Sequence, residues 1–313
     1  MGDYTKLGQV QLQQIMGLYG LKELRGHRPL SLGISNSNYR IETEKGLFLL
    51  KVSNDKNIEQ IQQEMGILYA LYKKSFKYSI TPIKTQHGQL VYEWENLHGV
   101  LFPFVEGIPP GPSDMTCYEI GKGIATLHSL EWSDGEIASM RDHKQVGYPI
   151  DTIIKYTQNE KCPEDYKNTF YKLFPDGLSS YRATNFKKGL IHGDLYYDNT
   201  LFNNNHLNKI LDFEQAGVDD LIFDLGICIS GTCLEKGRLH PSLIESLLEG
   251  YNGIRPLPKE ERAHLKEAIL LGLYSIALWR IKRFKEGSLD QKLANSYQDL
   301  MNRANSFFEM EWS

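Results

Sequence analysis

The chain lacks any apolar run long enough to cross a bilayer. Its most apolar stretch, Ala268 to Trp279, is bracketed by Lys266-Glu267 and Arg280. A membrane helix needs about 20 apolar residues, so a buried helix is expected there. Basic excess is also missing: 35 Lys and Arg face 39 Asp and Glu, for a net charge of −4. That balance argues against broad nucleic-acid binding. Cysteines are few and scattered, at Cys117, Cys162, Cys228 and Cys233. No second pair or His cluster completes a zinc set beside Cys228 and Cys233, so reduced thiols in a cytoplasmic protein are expected. The opening Met1-Gly2-Asp3-Tyr4-Thr5-Lys6 has no basic region followed by an apolar run, so no signal peptide is expected. No internal repeat or low-complexity segment is present. What is there, 313 residues at 41% hydrophobic and 24% charged, suffices for two units with real cores.

One segment carries chemistry: His192-Gly193-Asp194-Leu195-Tyr196-Tyr197-Asp198-Asn199, followed thirteen residues later by Asp212 within Ile210-Leu211-Asp212-Phe213. A carboxylate can accept a proton from an attacking hydroxyl. An amide five residues on and a second carboxylate can hold Mg²⁺ on a nucleoside triphosphate. Phosphoryl transfer asks a protein mainly to position groups and neutralise charge, and the spacing matches the protein-kinase catalytic loop and its metal-binding Asp. Asp and Asn are also ordinary turn residues, and the bare spacing recurs by chance. Here Leu190-Ile191 reads as a strand entering the loop and Thr200-Leu201-Phe202 as one leaving it. Asn203-Asn204-Asn205 reads as a turn and Lys209 to Phe213 as the returning strand, which brings Asp212 back beside Asn199.

Upstream, Leu12, Ile15, Met16 and Tyr19 fall at helical spacing. Asn38–Glu42 and Leu47–Val52 read as strands, preceded by a loop, Leu32 to Asn38, in which Ser35, Ser37 and backbone N–H groups can face phosphates. An ordinary hairpin loop would have the same composition. Lys51 sits near the end of the second strand. Asn57 to Tyr72 reads as a helix with Ile61, Met65, Leu68 and Tyr72 on one face and Glu64 among them. An inward carboxylate needs a partner, and Lys51 is the expected one. Ile80–Ile83, Leu90–Trp94 and Val100–Val105 read as further strands. The Pro109-Pro110-Gly111 cluster then marks a boundary, giving units 1–105 and 106–313. The second is mainly helical: Thr116 to Leu130, Ile150 to Gln158, Pro163 to Leu173, Pro241 to Tyr251, Glu260 to Lys285 and Gln291 to Phe308.

With both units laid out, the chain resembles the aminoglycoside-phosphotransferase/choline-kinase branch of the protein-kinase-like fold over nearly its whole length. Within that branch it most resembles the bacterial type II homoserine kinases, through Asn36-Ser37-Asn38-Tyr39, Phe223-Asp224-Leu225-Gly226-Ile227-Cys228-Ile229, and Gly250-Tyr251-Asn252 through Arg255-Pro256-Leu257 to Glu261-Arg262. The resemblance implies an α+β bilobal fold: a small antiparallel-sheet N-lobe with one main helix and a larger, mostly helical C-lobe. It implies ATP and Mg²⁺ as cofactors. Asp194 would be the catalytic base, with Asn199 and Asp212 as metal ligands. Lys51 and Glu64 would form the phosphate-binding pair. The Pro103 carbonyl and Val105 amide would meet adenine, His192 would orient the loop, and Asp224 would brace it through backbone hydrogen bonds. The residues after Asp212 are Phe213-Glu214 rather than Phe-Gly, which puts a flipping motion of that segment in doubt.

Asp212 and Asp224 are only twelve residues apart, which leaves no room for a peptide platform and points to a small-molecule acceptor, an amino alcohol or amino acid. L-Homoserine is expected first, with Arg280 on the long apolar helix forking its carboxylate and Asn36 as a second acceptor contact. Another aminoglycoside- or choline-type acceptor and a non-catalytic nucleotide-binding relative are the alternatives. A metal-dependent hydrolase would leave Lys51, Glu64 and the hinge without a role. No membrane partner is expected, and monomer and homodimer stay open.

Overall fold

The computed structural model describes residues 5–30, 36–141, 148–287 and 291–312. The chain divides into two compact units, Met1–Glu106 and Gly107–Ser313.

The first unit is an antiparallel sheet of order β1-β2-β3-β5-β4, with β1 at Leu24–Leu30, β2 at Asn36–Thr43, β3 at Gly46–Ser53, β4 at Tyr92–Trp94 and β5 at Leu97–Pro103. Alternation decides its faces. Tyr39 and Ile41 of β2 and Leu50 and Val52 of β3 pack with Leu12, Ile15 and Met16 of α1 (Gln9–Gly17) into one core. Lys51 lies between Leu50 and Val52 and therefore on the opposite face. There it shares a cleft with Ile61 and Met65 of α2 (Ile58–Lys73) and with Val100. A capping box starts α2: Asn57 accepts the Gln60 amide at 2.9 Å, and Gln60 accepts the Asn57 amide at 3.0 Å. The strand expected over Ile80–Ile83 is a single bridge, Ile83 to Leu101. Pro82 has no N–H with which to extend a ladder.

The second unit carries helices α3 (Asp114–His128), α4 (Asp134–Arg141), α5 (Ile150–Thr157), α6 (Glu164–Leu173), α7 (Ser179–Ala183), α8 (Leu221–Thr232), α9 (Pro241–Asn252), α10 (Lys259–Ala263), α11 (Leu265–Arg280) and α12 (Tyr297–Phe308). The single helix expected over 260–285 is two helices followed by a π turn, Ile281–Lys285. At the break, His264 leaves helical geometry and packs edge-on against Tyr181 and Phe186. Two helix crossings are very close. A Cβ on Gly121 of α3 would run into the Leu247 carbonyl of α9, and one on Gly250 of α9 into the Tyr118 carbonyl of α3. Gly226 of α8 and Gly272 of α11 are locked against each other's helix in the same way. Two small antiparallel pairs complete the unit: β6 (Lys188–Ile191) with β9 (Gly217–Asp220), and β7 (Thr200–Asn203) with β8 (His206–Ile210). A two-stranded turn, β10 (Leu234–Glu235) and β11 (Arg238–Leu239), precedes α9. No helix among the described residues is long and apolar enough to cross a membrane. The architecture is a mixed α and β, protein-kinase-like fold, with the small sheet in the first unit and helices dominating the second.

Candidate active site

The residues of the expected catalytic loop sit between β6 and β7. Gly193, at φ 77°, makes the turn out of β6, and a Cβ there would collide with the Gln215 carbonyl; only glycine serves. Asp194 follows, half-buried. The Asn199 amide nitrogen donates to the Asp194 carbonyl oxygen at 2.8 Å and lies 3.4 Å from its Oδ2. With its NH₂ so committed, Asn199 keeps its Oδ1 for an electrophile. On the returning side, the Leu211 amide donates to the Asn199 carbonyl at 2.8 Å, which seats Asp212 one residue beyond. Asp212 itself is left-handed, φ 60° and ψ 63°, a conformation Asp tolerates better than most residues. Asn204 and Asn205, both at positive φ, turn the β7–β8 hairpin that makes this return.

Charge is crowded here. Burial pushes the Asp194 carboxyl well above the usual carboxylate range, and the carboxylates of Asp212, Asp198 and Glu214 push it further, against the Asn199 hydrogen bond. A divalent cation would relieve that repulsion. Among the described residues no three His, Cys, Asp or Glu side chains gather into a metal-binding group. Asn199 and Asp212 offer two hard oxygen donors, the set that suits Mg²⁺ completed by water and phosphate oxygens, and a poor one for Zn²⁺.

His192 is fully buried and holds the loop to the strand after it. Its Nδ1 accepts the Asp194 amide at 3.2 Å, and its Nε2 donates to the Leu211 carbonyl at 2.8 Å, which assigns the neutral Nε2–H tautomer. Burial lowers its pKa, against nearby Asp224 and Asp212. From α8, Asp224 accepts the His192 amide at 2.9 Å and the Gly193 amide at 2.8 Å, and His128 Nε2 lies 2.9 Å from its Oδ2. Burial alone would raise this carboxyl. The His128 hydrogen bond, the two imidazoles and the His192 amide outweigh it and hold the group below its ordinary value.

A depressed folded pKa means that the Asp224 contribution is full above the ordinary aspartate value of about 3.9 and is lost as pH falls through the folded value. Asp224→Asn is expected to cost about 3–5 kcal/mol of stability at neutral pH, the usual cost of stranding a buried partner. Urea midpoints should show the same gap between wild type and variant at pH 7 and pH 5, narrowing below about pH 4. A gap that persists unchanged at pH 3 would remove the ionised carboxylate as its source.

Two expectations in the first unit need correction. Glu64 pairs with Lys56, not Lys51: the Lys56 Nζ lies 3.0 Å from Glu64 Oε2, with both side chains 13% exposed. Lys56 sits in the turn just before α2 and reaches along it, closer than the strand lysine. Lys51 instead lies 6.0 Å from the Phe102 ring centroid, though it lines the same cleft as Glu64, Lys56, Ser53 and Asn36. Ser37 is buried on the core face of β2, where its hydroxyl accepts the Thr5 amide at 2.9 Å and the Asn54 amide group at 3.1 Å; it is not free to face a phosphate. Ser35 lies outside the described residues. At the end of β5 the Phe104 amide donates to the Leu47 carbonyl at 3.0 Å. Strand alternation therefore turns the Pro103 carbonyl away from β3, and Val105 follows, half-buried.

Arg280 ends α11, half-buried, and its Nη1 donates to the Ser296 carbonyl at 2.8 Å. Arg303 of α12, which the sequence did not single out, donates to the Ser230 and Gly237 carbonyls, each at 3.1 Å. Burial lowers the Arg303 pKa, Tyr196 opposes that and Arg280 adds to it; the buried Tyr196 phenol in turn feels Asp194, Arg303 and Arg280. The hydrogen bonds of both arginines go to backbone carbonyls, and the Asp299 carboxylate raises the Arg303 pKa from a distance. Lys56 and His128 also escaped the sequence, as did the polar role of Tyr251: a lone His at a helix end and a Tyr on an apolar face carry no local mark of a polar partner.

Comparison with known proteins bears on the family. A family model described as the phosphotransferase enzyme family matches residues 26–264. A homoserine kinase of Agrobacterium fabrum is 28% identical over 83% of this chain and 81% of its own length. A homoserine kinase of Polaromonas naphthalenivorans is 24% identical over 91% of the chain and 90% of its own. Among solved structures, a microcompartment-associated aminopropanol kinase superposes with a TM-score of 0.72 at 19% identity, over 96% of this chain and 97% of that one. An amicoumacin kinase in complex with AMP-PNP and Ca²⁺ superposes with a TM-score of 0.70 at 14% identity, over 96% and 94%. With the model covering residues 26–264 and the fold shared from end to end, the chain belongs to the phosphotransferase enzyme family.

Proposed function

We propose that this phosphotransferase moves the γ-phosphoryl group of ATP to the side-chain hydroxyl of L-homoserine, giving O-phospho-L-homoserine. The observation that carries the reading is the joint placement of Asp194, Asn199 and Asp212 by one strand–loop–hairpin unit. Asp194 accepts the proton of the acceptor hydroxyl as it attacks. Asn199 and Asp212 hold Mg²⁺, which when bound neutralises charge on the phosphates. In the first unit, Lys51 is the phosphate-contacting cation and the Pro103 carbonyl and Val105 amide hold adenine. The Lys56–Glu64 pair keeps the cleft charged but balanced. His192 and Asp224 keep the loop in place.

Support for a small acceptor comes from the segment after Asp212. It makes one 3₁₀ turn, Phe213–Gln215, and then runs straight into β9 and α8, with no platform for a peptide. Support for homoserine comes from the relatives of that name. An acceptor with an ammonium and a carboxylate needs a cation for the latter, and Arg280 and Arg303, whose hydrogen bonds go to backbone carbonyls, are the groups we assign to it. Four free cysteines fit a cytoplasmic setting.

The test is ADP formation over homoserine, choline, ethanolamine, methylthioribose and kanamycin, run on wild type and Arg280→Ala. Homoserine should give the strongest signal. Choline, without a carboxylate, should be poor, because a site built to pair polar groups rejects analogues that leave them unpaired. Arg280→Ala should damage homoserine turnover more than nucleotide binding. No homoserine signal above the ATPase background, beside a signal from another acceptor, would overturn the acceptor while leaving the kinase.

A further inference from the structure

Behind Asp224 the hydrogen bonds do not stop at His128. The His128 Nδ1 lies 2.8 Å from the Tyr251 hydroxyl on α9. The Arg255 Nη1 donates to that same hydroxyl at 2.8 Å. Arg255 is clamped by Glu261 of α10, with Nη1 to Oε2 at 2.6 Å and Nη2 to Oε1 at 2.7 Å. Every member is buried: Arg255 is 9% exposed, Glu261 2% and Tyr251 0%.

The directions of these bonds follow from giving every donor an acceptor. Arg255 has no acceptor atom, so the Tyr251 oxygen accepts from it. The one Tyr251 O–H is then free to donate to His128 Nδ1, which leaves the imidazole proton on Nε2, facing the Asp224 carboxylate. Asp224 accepts, and its two oxygens receive the His192 and Gly193 amides. In this arrangement every donor meets an acceptor, running from a guanidinium to the two amides that precede Asp194. From Arg255 through Tyr251 and His128 to Asp224 the bonds share one direction and strengthen one another in a low-dielectric interior, and at Asp224 they meet the two amides donating from the other side.

A buried bidentate ion pair is a poor source of stability, because desolvation offsets the attraction and apolar replacements often do as well. Its placement calls for another account. We propose that Glu261, Arg255 and Tyr251 are positioning residues for the Asp194 loop, acting through His128 and Asp224 to fix the amides of His192 and Gly193. The inference rests on the reading of Asp194 as the base. None of the three contacts the reacting atoms; they set where Asp194 stands. A misplacement of about 1 Å from a distant change can cost a hundredfold in rate.

The experiment uses three variants of the full-length protein: Tyr251→Phe, the paired Arg255→Met/Glu261→Met, and all three changes together. The paired change avoids a stranded charge, and Tyr251→Phe removes a single oxygen, so at least that variant folds. Two readouts are taken well below the melting temperature: kcat with KM for ATP, and hydrogen–deuterium exchange of the peptide spanning Leu190 to Asn199. Each variant should lose about tenfold in kcat, the range for groups that orient catalytic ligands, with KM for ATP changed less than twofold. Loop exchange should rise in each. The combined variant should be no worse than either component, because all cut the same chain. Multiplying losses, or unchanged kcat and loop exchange beside a lower melting temperature, would overturn the proposal. Loop exchange needs no acceptor, so a wrong acceptor leaves that result standing and the two failures can be told apart.

Discussion

Asp194→Asn is expected to lower turnover by about two orders of magnitude or more while nucleotide still binds nearly as in the wild type, the range for losing a positioned base. The substitution keeps the shape of the side chain, and Asn199 remains able to donate to the residue-194 carbonyl, since that bond at 2.8 Å is to the backbone. What is lost is the acceptor for the hydroxyl proton, together with one charge from a crowded carboxylate group. Removing that charge should ease the apo protein, so a small rise in melting temperature beside the lost rate would fit the same geometry. Single-turnover rates with saturating ATP, on protein whose folding is confirmed by circular dichroism, separate chemistry from binding. Near-normal turnover would take Asp194 out of the mechanism.

Asp212→Ala should fail differently, because it removes a proposed metal ligand. Both activity and the Mg²⁺-dependent part of nucleotide stabilisation should be lost. A nucleotide at a hundred times its Kd stabilises a protein by about 2.7 kcal/mol, a shift easily seen on melting. Asp212 also occupies a left-handed backbone position, where alanine is strained in its own right. Asp212→Asn is therefore the companion variant, since Asn accepts that conformation but ligates without charge. Both should melt alike with and without Mg²⁺ at fixed ATP. If Mg²⁺·ATP raises the Asp212→Ala melting temperature as far as it does in the wild type, the metal role is wrong.

Local signals in the sequence were strong where the chemistry is local. The Asn203-Asn204-Asn205 turn and the apolar runs around it place the β7–β8 hairpin, because Asn tolerates the positive φ found at Asn204 and Asn205. The same holds for α2, whose apolar spacing and capping box are both written within a few residues. Helix α8 was less legible. All its residues are buried, so it has no polar face and no period of 3.6 to read. Strand β9 was missed because Gly217-Val218-Asp219-Asp220 looks like a loop until β6 lies beside it. The Lys56–Glu64 pair shows a different limit. Burial of Glu64 was readable from the helix register, but which lysine answers it depends on how the turn at Ser53–Asn57 lays its chain, and that is set by tertiary packing. Long-range partnerships such as His128 with Tyr251 leave no trace in local spacing.

The close crossing of α3 and α9 bears on when the protein becomes competent during synthesis. A ribosome finishes every residue of the Asp194 loop, and Asp224 soon after it, before α9 exists. His128 has been waiting since α3 was made, yet its second partner, Tyr251, is 123 residues away from it in sequence. Contacts of such separation form late, because the loop they close must first be paid for in chain entropy. A nascent chain released short of Pro241 would hold Asp194 and both proposed metal ligands, with Asp224 lacking the packed helix behind His128. The order of synthesis thus keeps the residues proposed for phosphoryl transfer from being set until most of the second unit has emerged, and truncated products should carry the motif without the activity.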